Sequence, residues 1–260
     1  MEKAQVYLGE VGFYDISLPT AIHSYLAFMF GGFVRKIGCS IRPYEIHKGE
    51  TDQVIDNALA RLYDTFRNGK SKEKTLERII SDFQSIQTEK EERPKVAIFG
   101  DLFVRDNDLM NQNLIRTVEK NGGEVITTPY NEYIKSIVVP STKRFFKEGR
   151  YWEYVRHKFL KSLIPLVEEK YQKYLYPYNG HEIEISEEET DEWLNTFGLS
   201  IFHRGESVEN ILKIQKLIKQ YPDIDLFIQT NPAYCCPSLV TEAMTSKIEE
   251  VTGVPVVTIE

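Results

Sequence analysis

The sequence predicts an α/β fold with a parallel β-sheet and a mainly helical N-terminal region. In the C-terminal two-thirds of the chain, short continuous apolar runs alternate with segments whose apolar residues recur at helical spacing. This alternation is typical of parallel strands that are buried on both faces and joined by right-handed helical crossovers. We therefore divide the chain into a helical region at residues 1–93 and an α/β domain at residues 94–260.

The N-terminal region shows three helical patterns. The apolar run at 18–34 is shorter than the roughly 20 residues that span a bilayer, and its polar and glycine residues favour a buried helix. A second helix at 51–66 begins with a capping Thr or Asp, and a third at 72–86 carries an apolar stripe. The charged segment 87–94, which ends in proline, is the predicted linker to the α/β domain.

Continuous apolar runs predict the strands of the sheet. The predicted strands are 95–100, 124–129, 198–203, 224–230 and 254–260. Because no loop follows the last strand, we expect the sequence to be part of a longer chain.

Three helices are predicted between these strands. The first begins near Asp108, and the second spans 208–220 with Ser207 as its N-cap. The third begins near Pro237 and ends at Gly253. The apolar residues of this third helix that we expect to be buried are Leu239, Val240, Ala243, Met244 and Ile248.

An insertion at about 130–195 separates the second and third predicted strands. Its aromatic residues recur at mostly helical spacing, and they are Phe145, Phe146, Tyr151, Trp152, Tyr154, Phe159, Tyr171 and Tyr174. We expect an inserted helical subdomain in which these rings form a core. A lid over a bound substrate is the alternative.

Composition excludes some classes of function. The net charge of −7 argues against a nucleic-acid-binding protein, because phosphates require a basic surface. The charged residues that follow Met1 do not resemble a secretory leader, so we predict a cytoplasmic protein that does not bind membranes. No phosphate-binding glycine loop and no HExxH or GxSxG motif occurs in the sequence.

Polar residues follow the predicted strands, whose carboxyl ends meet at one edge of a parallel sheet. Asp101 and Arg105 follow the first strand, and His203, Arg204 and Glu206 follow the third. We take these residues as candidate catalytic residues. The alternatives are helix capping for the first group and a structural ion pair with Glu206 for the second.

Two of the three cysteines, Cys235 and Cys236, are adjacent in the segment NPAYCCPSLVTEAM. Pro237 predicts that a helix begins here, and the dipole of a helix N-terminus favours the thiolate form. Thiolates are the ligands of iron–sulfur clusters. With Cys39, the pair forms a candidate ligand set for a four-iron cluster. Burial of these cysteines as small apolar residues is the alternative.

Four segments carry a resemblance to a known family: RPYE (42–45), GDLFVRDN (100–107), HRGES (203–207) and NPAYCCPSLVTEAM (231–244). The chain resembles the 2-hydroxyacyl-CoA dehydratase superfamily, which includes the 2-hydroxyglutaryl-CoA dehydratase D-component. It is most similar to the dehydratase-like segment of the CoA-substrate-specific enzyme activases. The resemblance implies Rossmann or flavodoxin-like lobes, a four-iron cluster bound by Cys39, Cys235 and Cys236, and an ATP-dependent activator that supplies electrons in anaerobic metabolism.

We therefore predict an iron–sulfur protein, or part of one, that transfers low-potential electrons for an ATP-driven reduction or radical dehydration. Its expected partner is an ATP-dependent activator or a dehydratase subunit, and an acyl-CoA and a second copy of the chain are further candidates. Because the sequence lacks an ATPase phosphate loop and a second α/β lobe, we do not expect it to be active alone. One alternative is a cluster-free module that docks an ATPase or acyl-CoA partner. Another is an enzyme with a reactive thiolate and His203 as its base.

Overall fold

The computed structural model describes residues 17–89, 91–131, 142, 145–174, 178, 183, 185–203 and 206–259. Its sheet consists of the strands β1 (Lys95–Gly100), β2 (Glu124–Ile126), β3 (Ile224–Thr230) and β4 (Val256–Ile259). All pairings are parallel and the order is β2-β1-β3-β4. The predicted α/β fold is thus confirmed, and this order is that of the first four strands of a flavodoxin-like sheet.

Helices surround this sheet and make up the N-terminal region. Their bounds are α1 (Leu18–Ile41), α2 (Glu50–Asn68), α3 (Lys72–Gln84), α4 (Leu102–Asp106), α5 (Leu114–Lys120), α6 (Tyr151–Gln172), α7 (Glu187–Thr196), α8 (Glu206–Gln220), α9 (Cys236–Ala243) and α10 (Thr245–Thr252). A short 3₁₀ helix, Arg42–Tyr44, follows α1.

Both faces of the central strands are buried. Successive strand residues point to opposite sides, so one face presents Ala97, Phe99 and Phe227 to α7, α8 and α10. The other face presents Val96 and Ile98 to α1 and α5. Phe99 and Phe227 meet edge to face, with 5.8 Å between their ring centroids. The continuous apolar runs of β1 and β3 therefore reflect burial on two sides.

The predicted strand at 198–203 is wrong, because these residues form a turn. After the end of α7, Gly198 adopts a left-handed conformation with φ of 68°. The Leu199 amide then donates to the Leu194 carbonyl at 2.9 Å, which is how a helix C-terminus is commonly closed. Ile201 is buried next to α8 rather than in the sheet. The apolar residues of this segment thus fill the core without strand pairing.

Two predicted helix starts also differ from the structure. No helix begins near Asp108; α5 starts at Leu114, after Asn113 adopts a left-handed φ of 57°. Met110, in the turn before α5, is exposed. Ser207 lies inside α8 and is not its N-cap, because α8 already begins at Glu206.

The predicted helix after Pro237 is divided into α9 and α10 at Met244. Its expected end at Gly253 and the burial of Ile248 are confirmed. However, Leu239, Val240 and Ala243 are exposed instead of buried. The reason is that α9 turns its polar face inward, where Ser238 and Thr241 are buried. The apolar face of α9 therefore points outward.

The N-terminal helices share an apolar cluster, and the RPYE segment connects them to the α/β domain. Arg42 donates two hydrogen bonds of 2.8 Å to the carboxylate of Glu119 on α5. Tyr44 donates to Glu124 at the start of β2 over 2.7 Å. In addition, Gly32 of α1 lies so close to Pro129 that a Cβ would be 2.7 Å from the proline Cβ. The domain boundary at residue 93 stays a prediction, since α1 packs directly on the sheet.

The described part of the insertion is helical and consists mainly of α6 and α7. Phe145 is buried, as the predicted aromatic core requires, whereas Tyr171 is buried against Phe30 of α1, with 5.0 Å between ring centroids. In contrast, Tyr151, Trp152 and Phe159 are exposed on α6. The predicted aromatic core therefore holds only in part, and the lid alternative stays a prediction. Residues 132–141, 143–144, 175–177, 179–182 and 184 of the insertion lie outside the described residues.

Glu45, the last residue of RPYE, caps the start of α2, and this predicts a pH-dependent contribution to stability. It accepts the amides of Gly49 and Thr51 at 2.8 and 2.7 Å. Burial would raise the pKa of Glu45, but the hydrogen bonds from Thr51 and Gly49 outweigh burial and lower it. The ionised form therefore stabilises the fold above the unfolded pKa of about 4.3, and this stabilisation disappears as the pH falls through the lower folded pKa.

We expect Glu45→Gln to lower the free energy of unfolding by about 1 kcal/mol at pH 7. The difference should shrink at pH 3, and urea unfolding at both pH values measures it. Asp56→Asn, which removes an exposed carboxylate from the same helix, is the control and should have little effect at either pH. An undiminished effect of Glu45→Gln at pH 3 would contradict the capping role.

Candidate functional site

The sheet reverses its winding direction between β1 and β3, because β2 lies on one side of β1 and β3 on the other. Doubly wound α/β sheets bind ligands at the carboxyl ends of the strands at this point. The loop after β1 begins with Asp101, and the loop after β3 carries Cys235 and Cys236. The Asp101 amide donates to the Thr230 carbonyl at 2.9 Å and joins the two loops. Gly100 permits this approach, since a Cβ there would lie 2.2 Å from the same carbonyl oxygen.

The cysteine pair lies at the start of α9. Cys235 is the N-cap and Cys236 is the first helical residue. The helix therefore begins one position earlier than expected from Pro237 as its first residue. Both thiols are free; that of Cys235 is partly buried and that of Cys236 is exposed. Tyr234, directly before the pair, has a left-handed φ of 62° and is 89% exposed. Such a conformation in a tyrosine stores strain, which is common at binding sites.

Beneath this turn is a group of buried polar side chains. Gln229, Asn231 and Ser238 are each at most 2% exposed. The Gln229 side-chain amide donates to the Ser238 carbonyl at 3.1 Å, which joins the end of β3 to the first turn of α9. Within the described part of the chain, Gln229 Oε1, both amide atoms of Asn231 and Ser238 Oγ have no hydrogen-bond partner. Because unpaired buried polar atoms cost free energy, this group is suited to interact with a bound ligand.

Cys39 does not join the pair. It lies on α1, is 1% exposed and packs with Val96 and Ile98 on one face of the sheet. α9 lies with α8 on the opposite face. Burial raises the pKa of the Cys39 thiol to about 12, so that it is protonated at neutral pH. The geometry favours the alternative of a buried apolar residue, and a ligand role for Cys39 stays a prediction.

The structure brings Asp101, Arg105 and Glu206 together. Asp101 caps α4, accepting the amides of its first turn at 2.9 and 2.8 Å. The Arg105 side chain is almost fully buried and donates to Thr128 Oγ1 at 2.7 Å. Burial raises the pKa of Glu206, and the charge of Asp101 raises it further. Asp101 therefore has the capping role that was one alternative, while Glu206 faces it across the edge of the sheet.

Of the remaining two candidates of this group, the structure describes only His203, and it does not bring His203 into the site. His203 is exposed in the turn after α7, where its Nδ1 accepts the Ser200 amide at 3.1 Å. Arg204 lies outside the described residues, so the predicted ion pair with Glu206 stays untested. His203 as a base for a thiolate likewise stays a prediction.

Two ionisable residues of the site, Glu209 and Lys213, were not identified from the sequence. With Glu206, they form a row of charged residues at helical spacing on α8. Burial raises the pKa of Glu209 to about 7. Burial and then the charge of Arg105 lower the pKa of Lys213 to about 7. Charged residues at helical spacing next to the apolar face of an amphipathic helix are the signal that could have found them.

A cleft of about 650 Å³ opens beside these charges, between α1 and the loops that follow β1 and β2. Phe28 and Gly31 of α1 line one side, and Asp101, Phe103 and Glu206 line the other. This volume is in the range of small-molecule sites, which are generally apolar with a few polar groups.

The chain matches no protein-family model, no curated protein and no solved structure. The resemblance to the 2-hydroxyacyl-CoA dehydratases therefore stays a prediction. Among the residues that the structure describes, no group of three or more His, Cys, Asp and Glu side chains is arranged to hold a metal ion. No described helix is both long and apolar enough to cross a bilayer.

Proposed function

We propose that the turn before α9 binds an iron–sulfur cluster and that the protein transfers low-potential electrons for an ATP-driven reduction or radical dehydration. The observation that carries this proposal is the pair of accessible thiols at Cys235 and Cys236, next to buried polar groups without partners among the described residues. Thiolates bind iron, and hydrogen bonds to the sulfurs tune the reduction potential. Asn231 and Ser238 carry such donors. The resemblance to the 2-hydroxyacyl-CoA dehydratase superfamily supports the same function.

The two cysteines of the turn fit one side of a cluster. Cys235 and Cys236 supply two thiolates, whereas a four-iron cluster commonly has four cysteine ligands. Cys39 does not fit as a third ligand, because its protonated thiol lies on the opposite face of the sheet. A partner would then complete the set: a dehydratase subunit, the ATP-dependent activator or a second copy of the chain. When bound, the cluster would supply one-electron transfer, and this chain would hold it through the α9 turn.

We expect anaerobically purified or reconstituted protein to contain iron and acid-labile sulfide, and Cys235→Ser/Cys236→Ser to lose most of both. Serine is a favourable N-cap, so this double variant should keep its fold, which circular dichroism checks. Cys39→Ala is the matched control and should retain the iron, because it removes a sulfur from the core instead of the turn. The two single variants show which sulfur faces the metal.

Two outcomes would overturn the proposal. One is the absence of iron in both native and reconstituted wild-type protein. The other is a double serine variant with unchanged iron and sulfide content. Loss of iron in Cys39→Ala with an intact fold would restore the predicted three-cysteine set.

The second candidate function is a cluster-free module that docks an ATPase or acyl-CoA partner. The exposed apolar face of α9, which Tyr234 precedes and which carries Leu239 and Val240, favours this candidate. In that case Leu239→Glu should weaken partner binding. The double serine variant should bind the partner as the wild type does, and the visible absorbance of the purified protein should not change.

A further inference from the structure

The cleft beside α1 is separate from the cysteine turn, and its walls are unusually apolar for an exposed surface. Phe28 is 51% exposed and Phe103 is 66% exposed, and both line the cleft. Tyr130 stacks on Phe28 with 4.5 Å between ring centroids and 23° between ring planes. A flat apolar group in the cleft would remove these exposed rings from water.

The polar groups of the cleft are mainly acidic. Its lining contains three carboxylates, Asp101, Asp106 and Glu206, against one guanidinium, that of Arg35. Arg35 is already bound by Asp106, with Nη1 2.7 Å from the carboxylate. Among the residues that the structure describes, Glu206 has no hydrogen bond and no ion pair within 4 Å, and the charges of Lys213 and Arg105 act on it only from a greater distance. A positively charged group is therefore favoured at Asp101 and Glu206, and a phosphate or carboxylate is disfavoured.

We propose that this cleft binds a small aromatic amine, with its ring against Phe28 and Phe103 and its ammonium group at Asp101 and Glu206. This charge preference disfavours the phosphates of an acyl-CoA in the cleft. The inference does not depend on the proposed cluster, because none of its residues belongs to the cysteine turn.

Gly31 offers a direct way to block the cleft. It lines the cleft from α1, and a Cβ built there meets no atom within 4 Å. A leucine should therefore enter the cleft without distorting the helix, and replacing a helical glycine is expected to favour the helix. Ser24→Leu is the matched control, because it adds the same side chain to an exposed position of the same helix outside the cleft lining.

The test uses phenethylamine as the probe and hydrocinnamate as its anionic counterpart of similar size, with binding measured by ligand-observed NMR. We expect phenethylamine to bind at least about tenfold more tightly than hydrocinnamate. Gly31→Leu should abolish its binding and Ser24→Leu should leave it unchanged. Glu206→Gln should weaken it by about tenfold, because one charged acceptor is lost.

Circular dichroism on each variant verifies the fold. The proposal is wrong if wild-type protein does not bind phenethylamine at millimolar concentration, or if it binds both probes equally. It is also wrong if folded Gly31→Leu binds as wild type does. These outcomes are independent of iron content, so they are distinct from a failure of the proposed cluster.

Discussion

Replacing Gly100 by alanine is expected to lower the free energy of unfolding by about 3 kcal/mol or more. Gly100 ends β1 with φ of 116°, a conformation that alanine rarely adopts. A Cβ would lie 2.2 Å from the oxygen and 2.8 Å from the nitrogen of Thr230. Both are backbone atoms of β3, which is held in register along β1, so the neighbouring strand cannot move aside without breaking the pairing.

Urea unfolding followed by circular dichroism measures this effect. Gly31→Ala is the control, because its Cβ would meet no atom within 4 Å and lies within a helix. It should raise the free energy of unfolding by up to about 1 kcal/mol. If Gly100→Ala unfolded at the same urea concentration as the wild type, the carboxyl ends of β1 and β3 would not be in close contact. The loops that follow these two strands would then not be joined as the candidate site requires.

The strands that the sequence predicted well are those buried on both faces. β1 has the continuous apolar run Val96–Phe99 and β3 the run Leu226–Ile228, because each side of these strands meets a helix, and few other structures produce such short continuous runs. The segment 198–203 looks similar, yet it begins with a glycine that closes α7. A turn that buries Ile201 and a short buried strand have the same local pattern, and only contacts distant in sequence distinguish them.

The candidate site was predictable where topology alone determines position. Parallel strands bring their carboxyl ends to one edge, so Asp101 and the cysteine pair were expected near each other. Glu206 was expected there for the wrong reason, because the segment before it is a turn and not a strand; it reaches this edge as the first residue of α8. Cys39 could not be placed in this way, because its position depends on which face of the sheet α1 covers. The shifted pKa values of Glu209 and Lys213 depend on burial and on Arg105, and neither is visible in the local sequence.

Arg42→Met is expected to lower the free energy of unfolding by about 3 kcal/mol. The side chains of Arg42 and Glu119 are only 10% and 8% exposed, and two hydrogen bonds of 2.8 Å join them. Without Arg42, the Glu119 carboxylate would remain buried with Arg116, at 3.7 Å, as its nearest cation. Methionine retains the apolar length of the side chain, so the loss reports mainly on the missing charge.

The double variant Arg42→Met/Glu119→Leu should recover much of this stability, because an apolar pair leaves no buried charge uncompensated. Urea unfolding of the wild type, of the single variants Arg42→Met and Glu119→Leu, and of the double variant gives the coupling free energy between the two side chains. Arg67→Met at an exposed site is the control, and its free energy of unfolding should change by less than about 0.5 kcal/mol. If the effects of the two substitutions on the free energy of unfolding were additive, the ion pair would not be what holds the N-terminal helices to α5. Arg42 would then become a candidate for function.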